Sequence, residues 1–331
     1  MISARTAHFL TEALSAAAAI AAGDQLRVFE ALATGPLTAA ELATRCGLSE
    51  GAAQRLLSAL ASIGALGREN GGYGLTVEPG LLRSQSDLWE RLPEVVRGGS
   101  STGFDETAVA AAAYPAIVGF LGALDAPAAR RAAVLLAAGL PTSARVLDLG
   151  AGAAAWSLAL VAEKPSCQVT AFDLPPVLEA TRRAVDAAGR TDRYRFLAGD
   201  AFLDELGGPY DLALVANVIH LFGGARAVEL LTRVAAELSP AGRLAVIDVI
   251  PDGRAPSRRA ALHDLSLLLR TSDGALHSLN SYAKWLRRAG LEPITRHRLD
   301  AGWEVTLVLA TAPADIGAEA GPNIEVVQAK P

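Results

Sequence analysis

Three observations predict an α/β fold: a mostly parallel sheet with helices on both faces, preceded by a mostly helical module. From residue 144 onward, short apolar runs alternate with longer amphipathic ones, the texture of strands and crossover helices joined by short loops. Within that region Val146-Leu147-Asp148-Leu149 stops at Gly150-Ala151-Gly152 and hands over to an alanine-rich stretch, which reads as a buried strand, a glycine turn and a helix. Before residue 95 the periodicity is helical and the alternation is missing. The 331 residues exceed the roughly 100–200 of one ordinary domain, so two domains are expected.

Composition narrows the classes. Hydrophobic residues make up 51% and charged residues 20%, which suits a globular protein with ample core. A net charge of −5 argues against a general nucleic-acid binder, which needs a basic surface. Cys46 and Cys167 stand far apart without a CxxC spacing, so neither a disulfide scaffold nor a thiolate zinc site is expected. No basic segment followed by an apolar core and cleavage site opens the chain, and no long apolar run free of charge stands out. A cytoplasmic location, with no membrane partner, is the expectation.

Residues 6–33 read as two helices broken near Gly23-Asp24. Thr38 with Glu41 three residues later forms a capping box that opens a helix to about Cys46. Ser49 caps a longer helix with apolar positions at Ala53, Leu56, Leu57, Leu60 and Ile63. Leu66-Gly67-Arg68, Asn70-Gly71-Gly72 and the stretch from Tyr73 to residue 77 then read as a hairpin with a glycine turn. Helices followed by a hairpin suggest a winged helix over 1–95. Those residues carry seven Arg and no Lys against ten Asp and Glu, so packing against a second copy is favoured over DNA binding.

Residues 96–140 read as connecting helices with a flexible glycine-rich break at 98–103. The aromatics Phe104, Tyr114 and Phe120 either pack helices or line a substrate pocket. Beyond 141, strands are predicted at 145–149, 168–172, 194–198, 211–216, 243–249 and 303–310, the last antiparallel to its neighbours. Helices are predicted at 153–162, 175–188, 225–238 and 280–289. The α/β unit so outlined spans 141–312, and 313–331 reads as a loosely held tail rich in Gly, Ala and Pro.

The glycine turn offers backbone that a ligand can approach and a helix N-terminus beyond it. About 20 residues on, Asp173 ends the next strand, where an acid can take the two hydroxyls of a ribose. A strand, a glycine turn, a helix and that acid serve NAD and S-adenosylmethionine alike. Four further motifs follow in order at successive strand ends: Asp173-Leu174-Pro175, Gly199-Asp200-Ala201-Phe202, Asn217-Val218-Ile219-His220 and the run from Arg243 to Asp248.

With the winged helix before it, this ordered set resembles the S-adenosylmethionine-dependent O-methyltransferase family of plant and bacterial secondary metabolism, over residues 8–312. The resemblance implies a Rossmann-like sheet, a winged-helix dimerisation domain, a homodimer and S-adenosyl-L-methionine as cofactor. It implies that Gly150 and Gly152 pass beneath the methionine part and that Asp173, with Leu174 beside it, binds the ribose. Asp200 would accept the adenine amino group, Phe202 would pack on the ring, and Ala201 and Asn217 would also line the cofactor site. Asp148, Asp173 and Phe202 also have plain structural readings, as strand-end caps and core.

His220 falls at the end of the fourth strand, where open α/β sheets place their ligands, and on the family's catalytic histidine. A phenol of pKa ~10 is a poor nucleophile at neutral pH, and a histidine taking its proton is worth about 10²–10⁴-fold. Asp248 falls where plant members carry the glutamate that orients this base; being one methylene shorter, it implies a looser or water-bridged pair. A second family glutamate is absent, with Leu276 at the matching place. The third loop glycine is Ala154, and His220 is followed by Leu221-Phe222.

His263, Asp264 and His277 belong to a segment expected to roof the pocket, contacting a polar substrate or, less naturally, a metal; no metal is assigned. Arg97 reads as a solvated cation more readily than as a partner of a substrate carboxylate. The function so implied is methylation of a hydroxyl on a small aromatic metabolite, phenolic or polyketide-like. The alternatives are C- or N-methylation, non-methylating chemistry on the same fold, and a winged-helix regulator that senses a small molecule.

Overall fold

The computed structural model describes residues 2–69, 71–76, 88–98, 106–251, 256–299 and 304–314, with side chains from 117 onward in the helix that begins at Glu106. The chain divides into two compact units, Met1–Gly99 and Ser100–Pro331. Phe104, Asn70, residue 77, Trp303 and the tail beyond 314 lie outside the described residues, as does the side chain of Tyr114.

The first unit holds α1 (Ala4–Gln25), α2 (Val28–Leu32), α3 (Ala39–Cys46), α4 (Glu50–Ser62) and the hairpin β1 (Leu66–Glu69) and β2 (Gly72–Leu75). The first helix does not break at Gly23. It runs on to Gln25, and the chain turns at Arg27, whose φ is 59°. Gly23 is a packing glycine, since a Cβ there would lie 2.9 Å from Phe29 Cζ. The Thr38–Glu41 capping box is present: Thr38 Oγ1 accepts from the Glu41 amide at 3.3 Å and Glu41 Oε2 accepts from the Thr38 amide at 2.8 Å. Ser49 stands at the N-cap of α4 in extended conformation, without a side-chain cap bond. Val28, Phe29, Leu42, Leu57, Leu60, Leu66 and Tyr73 form the core of this unit. The hairpin is antiparallel, and Leu37 bridges to Tyr73 beside it.

The second unit is built on a seven-stranded sheet of order β5-β4-β3-β6-β7-β9-β8. Its strands are β3 (Arg145–Leu149), β4 (Gln168–Asp173), β5 (Tyr194–Ala198), β6 (Tyr210–Ala216), β7 (Leu238–Val249), β8 (Ile294–Arg298) and β9 (Val305–Thr311). The first five in that order are parallel, and β9 runs antiparallel to both β7 and β8. The antiparallel closing strand is as expected. β8 is an element that sequence reading misses, and β7 starts at Leu238 and not at 243.

Alternate residues along the central strands enter different cores. Leu147, Leu149, Ala213, Val215, Leu244 and Val246 pack with Leu230, Leu231, Tyr282 and Leu286. Val146, Leu212, Leu214, Ala245 and Ile247 pack with Ala128, Ala132, Leu136, Leu160 and Val161 on the other face. Helices therefore cover both faces, and the strand order reverses at β3 beside β6. Ligands of open α/β sheets bind beyond the carboxyl ends of the strands at such a reversal.

Candidate active site

The glycine turn is held from three sides. Gly150, Gly152 and Ala154 all adopt positive φ, at 68°, 54° and 54°. The amides of Gly150 and Ala151 donate to the carbonyl of Phe172 at 2.9 and 3.2 Å, tying the turn to the end of β4. Thr181, on the helix Pro175–Ala187, donates its hydroxyl to the carbonyl of Gly152 at 2.7 Å. A Cβ on Gly150 would meet Val218 Cγ2 at 2.7 Å, whereas one on Gly152 would meet nothing nearer than Val118 Cγ1 at 3.8 Å. Gly150 serves packing, and Gly152 leaves open space over the backbone.

Asp173 closes this side. Its two carboxylate oxygens accept from the amides of Gly152 and Leu174, each at 2.8 Å. Burial pushes its pKa up to about 6, against the pull of those two amides. Asp148 is a structural acid: it is buried, takes the hydroxyl of Ser157 and so anchors the first turn of the helix Ala155–Glu163. Burial lifts its pKa to about 7, against the Ser157 hydrogen bond.

At the end of β5, Asp200 Oδ1 accepts from the Phe202 amide at 2.8 Å, and Asp204 Oδ2 accepts from the Asp200 amide at 2.7 Å. This pair of bonds fixes the turn 199–204. The Phe202 ring meets Phe222 edge-on at 5.0 Å and carries the Arg226 guanidinium 4.3 Å from its centroid. Ala201 and Phe202 are half-buried against the main core.

At the end of β6, Asn217 adopts φ 56° and donates its side-chain amide to Asp125 Oδ2 at 2.9 Å. Asp125 lies on the helix Glu106–Ala137; burial raises its pKa to about 6, against hydrogen bonds from Trp156 and Asn217. The next turn, Ile219–Leu221, carries His220 into a position only 3% exposed.

His220 Nδ1 is hydrogen-bonded directly to Asp248 Oδ1. The looser or water-bridged pair expected from the shorter acid is not what the structure holds. The tight turn brings even the His220 amide to 3.2 Å from Asp248 Oδ2, so the extra methylene is unnecessary. Asp248 is fully buried and also accepts from the Tyr282 hydroxyl at 2.8 Å and the Val249 amide at 2.9 Å. Burial alone would raise its pKa, but His220, Tyr282 and the Val249 amide outweigh it and hold the carboxyl below its ordinary value. An ionised Asp248 accepts from Nδ1–H, which leaves the lone pair of His220 on Nε2.

The expected roof residues divide. His263, on the helix Arg258–Arg270, packs its ring edge against His220 at 5.0 Å. Burial, with His220 and Arg270 nearby, lowers its pKa to about 3, so it stays neutral. His277 is bonded through Nε2 to the Phe222 carbonyl at 2.9 Å and packs on Trp285, while Asp264 caps the Leu276 amide at 2.8 Å. These last two hold the chain together. Among the described residues no three His, Cys, Asp or Glu side chains converge as metal ligands. Phe120 is 51% exposed and Arg97 is exposed.

Thr181, Asp125 and Tyr282 are site residues that sequence reading misses. Each sits on a helix at a core-facing position, where pattern reports burial and says nothing of a hydroxyl's or carboxyl's partner.

Residues 126–292 match an O-methyltransferase domain and residues 9–77 an O-methyltransferase dimerisation domain. Acetylserotonin O-methyltransferase of Mus musculus is 31% identical over 327 aligned positions, covering 87% of this chain and 84% of its own. The tetracenomycin polyketide synthesis 8-O-methyl transferase of Streptomyces glaucescens is 29% identical, covering 86% and 90%. The structure of human N-acetylserotonin methyltransferase with S-adenosylmethionine superposes with a TM-score of 0.71 over 95% of this chain and 100% of that one, at 24% identity. The domain match over half the chain and the identity to the mouse enzyme settle the kinship: the chain belongs to the S-adenosylmethionine-dependent O-methyltransferase family.

Proposed function

We propose that this methyltransferase acts on a hydroxyl of a small aromatic metabolite, phenolic or polyketide-like, with His220 as general base and Asp248 as its orienting partner. The observation that carries this reading is the bond from His220 Nδ1 to a fully buried Asp248, which leaves Nε2 as the acceptor. That arrangement suits an acceptor which must lose a proton as it attacks. A phenol, with pKa ~10, is such an acceptor.

The cofactor fits the chain's residues. The open backbone at Gly152 admits the methionine part alongside Gly150, and the Asp173 carboxylate, next to Leu174, suits the ribose hydroxyls. Asp200 would take the adenine amino group with Ala201 and Phe202 against the ring, and Asn217 would border the methionine end. When bound, the cofactor supplies an electrophilic methyl on a sulfonium centre. His220 Nε2 holds the substrate hydroxyl, takes its proton as the oxygen attacks, and passes positive charge to a ring that Asp248 steadies. Positioning of substrate against cofactor contributes much of the rest.

In this reading residues 1–95 form the dimerisation domain, 96–140 contribute to the substrate pocket and 141–312 bind the cofactor. The unit Met1–Gly99 pairs with its copy in a homodimer. Replacing His220 by alanine tests the base. Turnover of a phenolic substrate should fall about 10²-fold or more, with calorimetric affinity for S-adenosylhomocysteine preserved. Full activity in that variant would favour proximity catalysis on an already ionised substrate.

A further inference from the structure

Asp248 is fully buried, yet its two oxygens meet four donors: His220 Nδ1 and the Val249 amide on Oδ1, the Tyr282 hydroxyl and the His220 amide on Oδ2. A carboxylate has about four lone-pair sites, so the group is saturated. On Oδ2 the two donors are unequal, with Tyr282 at 2.8 Å and the His220 amide at 3.2 Å.

Tyr282 is itself held in place. It lies on the helix Leu279–Arg288, whose N-cap Ser278 accepts from the Ser281 amide, and its ring packs on Trp285 at 5.6 Å. The turn before that helix is pinned to the same backbone that carries the base. The Ala275 amide donates to the His220 carbonyl at 3.0 Å, and a Cβ on Gly274 would lie 2.7 Å from that oxygen. Tyr282 and His220 therefore share one rigid frame. Residue 276 in this turn is leucine, so it supplies no acid, and the polar group that reaches Asp248 from this side is a phenol.

We propose that Tyr282 is a positioning residue for catalysis, whose hydroxyl, donated to Asp248, tempers that carboxylate's hold on the His220 proton. The proposal rests on His220 acting as base. A donor on a carboxylate draws off part of its negative charge, so the carboxylate stabilises a neighbouring imidazolium less. With the hydroxyl present, His220 gives up its acquired proton more readily after each transfer. Without it, Asp248 holds the imidazolium more tightly. Other ionisable groups around the pair are His263, with Arg259 and Arg270 acting on it, and Asp125. His277 faces Tyr282 ring to ring at 6.1 Å, and Asp125 and His263 both feel the Asp248 charge.

Tyr282→Phe keeps the ring and removes the hydroxyl. The acid limb of the kcat/KM profile should move to higher pH by about one unit, the scale of one charge-assisted hydrogen bond. Affinity for S-adenosylhomocysteine should stay unchanged. Replacing Tyr282 by 3,5-difluorotyrosine, a stronger donor of similar shape, should move the limb the other way, and this second variant serves if the phenylalanine variant folds poorly. A residue that merely fills the core would move neither limb, and coincident profiles for parent and variants would overturn the proposal.

The downfield proton resonance of the His220–Asp248 bond separates this from failure of the base itself. If His220→Ala remained fully active, the base reading would fall. A shift of that resonance in Tyr282→Phe would still sustain the positioning, and an unmoved resonance would end it.

Discussion

Asp173 shows how one side chain can brace a turn and still be the proposed contact for a ligand. Its oxygens take two backbone amides, which hold the glycine turn against the end of β4, and burial lifts its pKa to about 6. The sign of the consequence follows from the direction. Below about 6 the carboxyl is protonated and loses acceptor capacity for ribose hydroxyls; above it the carboxylate is available. Affinity for S-adenosylhomocysteine, measured by calorimetry, should therefore fall as pH drops through about 6, approaching tenfold per unit. Asp173→Asn should bind at least about tenfold more weakly at neutral pH and flatten that dependence. Asp148 titrates nearby, but its bond to Ser157 survives in the variant, so a residual slope would expose its share. Asp173 was legible as a candidate ribose acid because strand end and spacing announce it. Tyr282 was not, because a tyrosine at a buried helical position reads as core.

At the scale of elements, the helix Glu106–Ala137 crosses the glycine turn at close range. A Cβ on Gly122 would lie 2.7 Å from Ala153 Cβ, and Val118 is the nearest neighbour above Gly152. Gly122→Ala must push helix and turn apart. A loss of about 1–3 kcal/mol is expected, read as a lowered melting temperature together with weaker S-adenosylhomocysteine binding. Adding Ala153→Gly should restore both, and absence of that rescue would place the strain elsewhere. Sequence reading marks the helix as connecting and alanine-rich, but the residue it must clear lies far along the chain. The same limit explains β8. Arg296, His297 and Arg298 give no apolar alternation, and the strand exists because β9 offers an open edge.

At the scale of the whole molecule, α1 raises the question of assembly. Only Gly23 among its 22 residues is buried, and Leu10 and Leu14 are 45% and 73% exposed. A long helix with exposed leucines inside a dimerisation-domain match is what a self-pairing surface needs. Light scattering should give twice the 34.2 kDa of one chain. Leu10→Asp with Leu14→Asp should return the single-chain mass, and a dimer that survives both would locate the interface off this helix. No helix among the described residues is long and apolar enough to cross a membrane.

The sequence by itself determined what depends on local order: the parallel sheet, the glycine turn, the acids at successive strand ends and His220 at the fourth of them. These follow from periodicity and from the rule that ligands meet such sheets at their carboxyl edge. Only the tertiary structure decided how those residues are wired. His220 reaches Asp248 directly, Tyr282 arrives from a helix 34 positions farther on, and His277 and Asp264 turn away to hold the backbone. The physical reason is that a hydrogen bond depends on distances of tenths of an ångström between segments remote in the chain. Side-chain pattern encodes which face is buried, and the partner met there is set by the packing of the whole sheet.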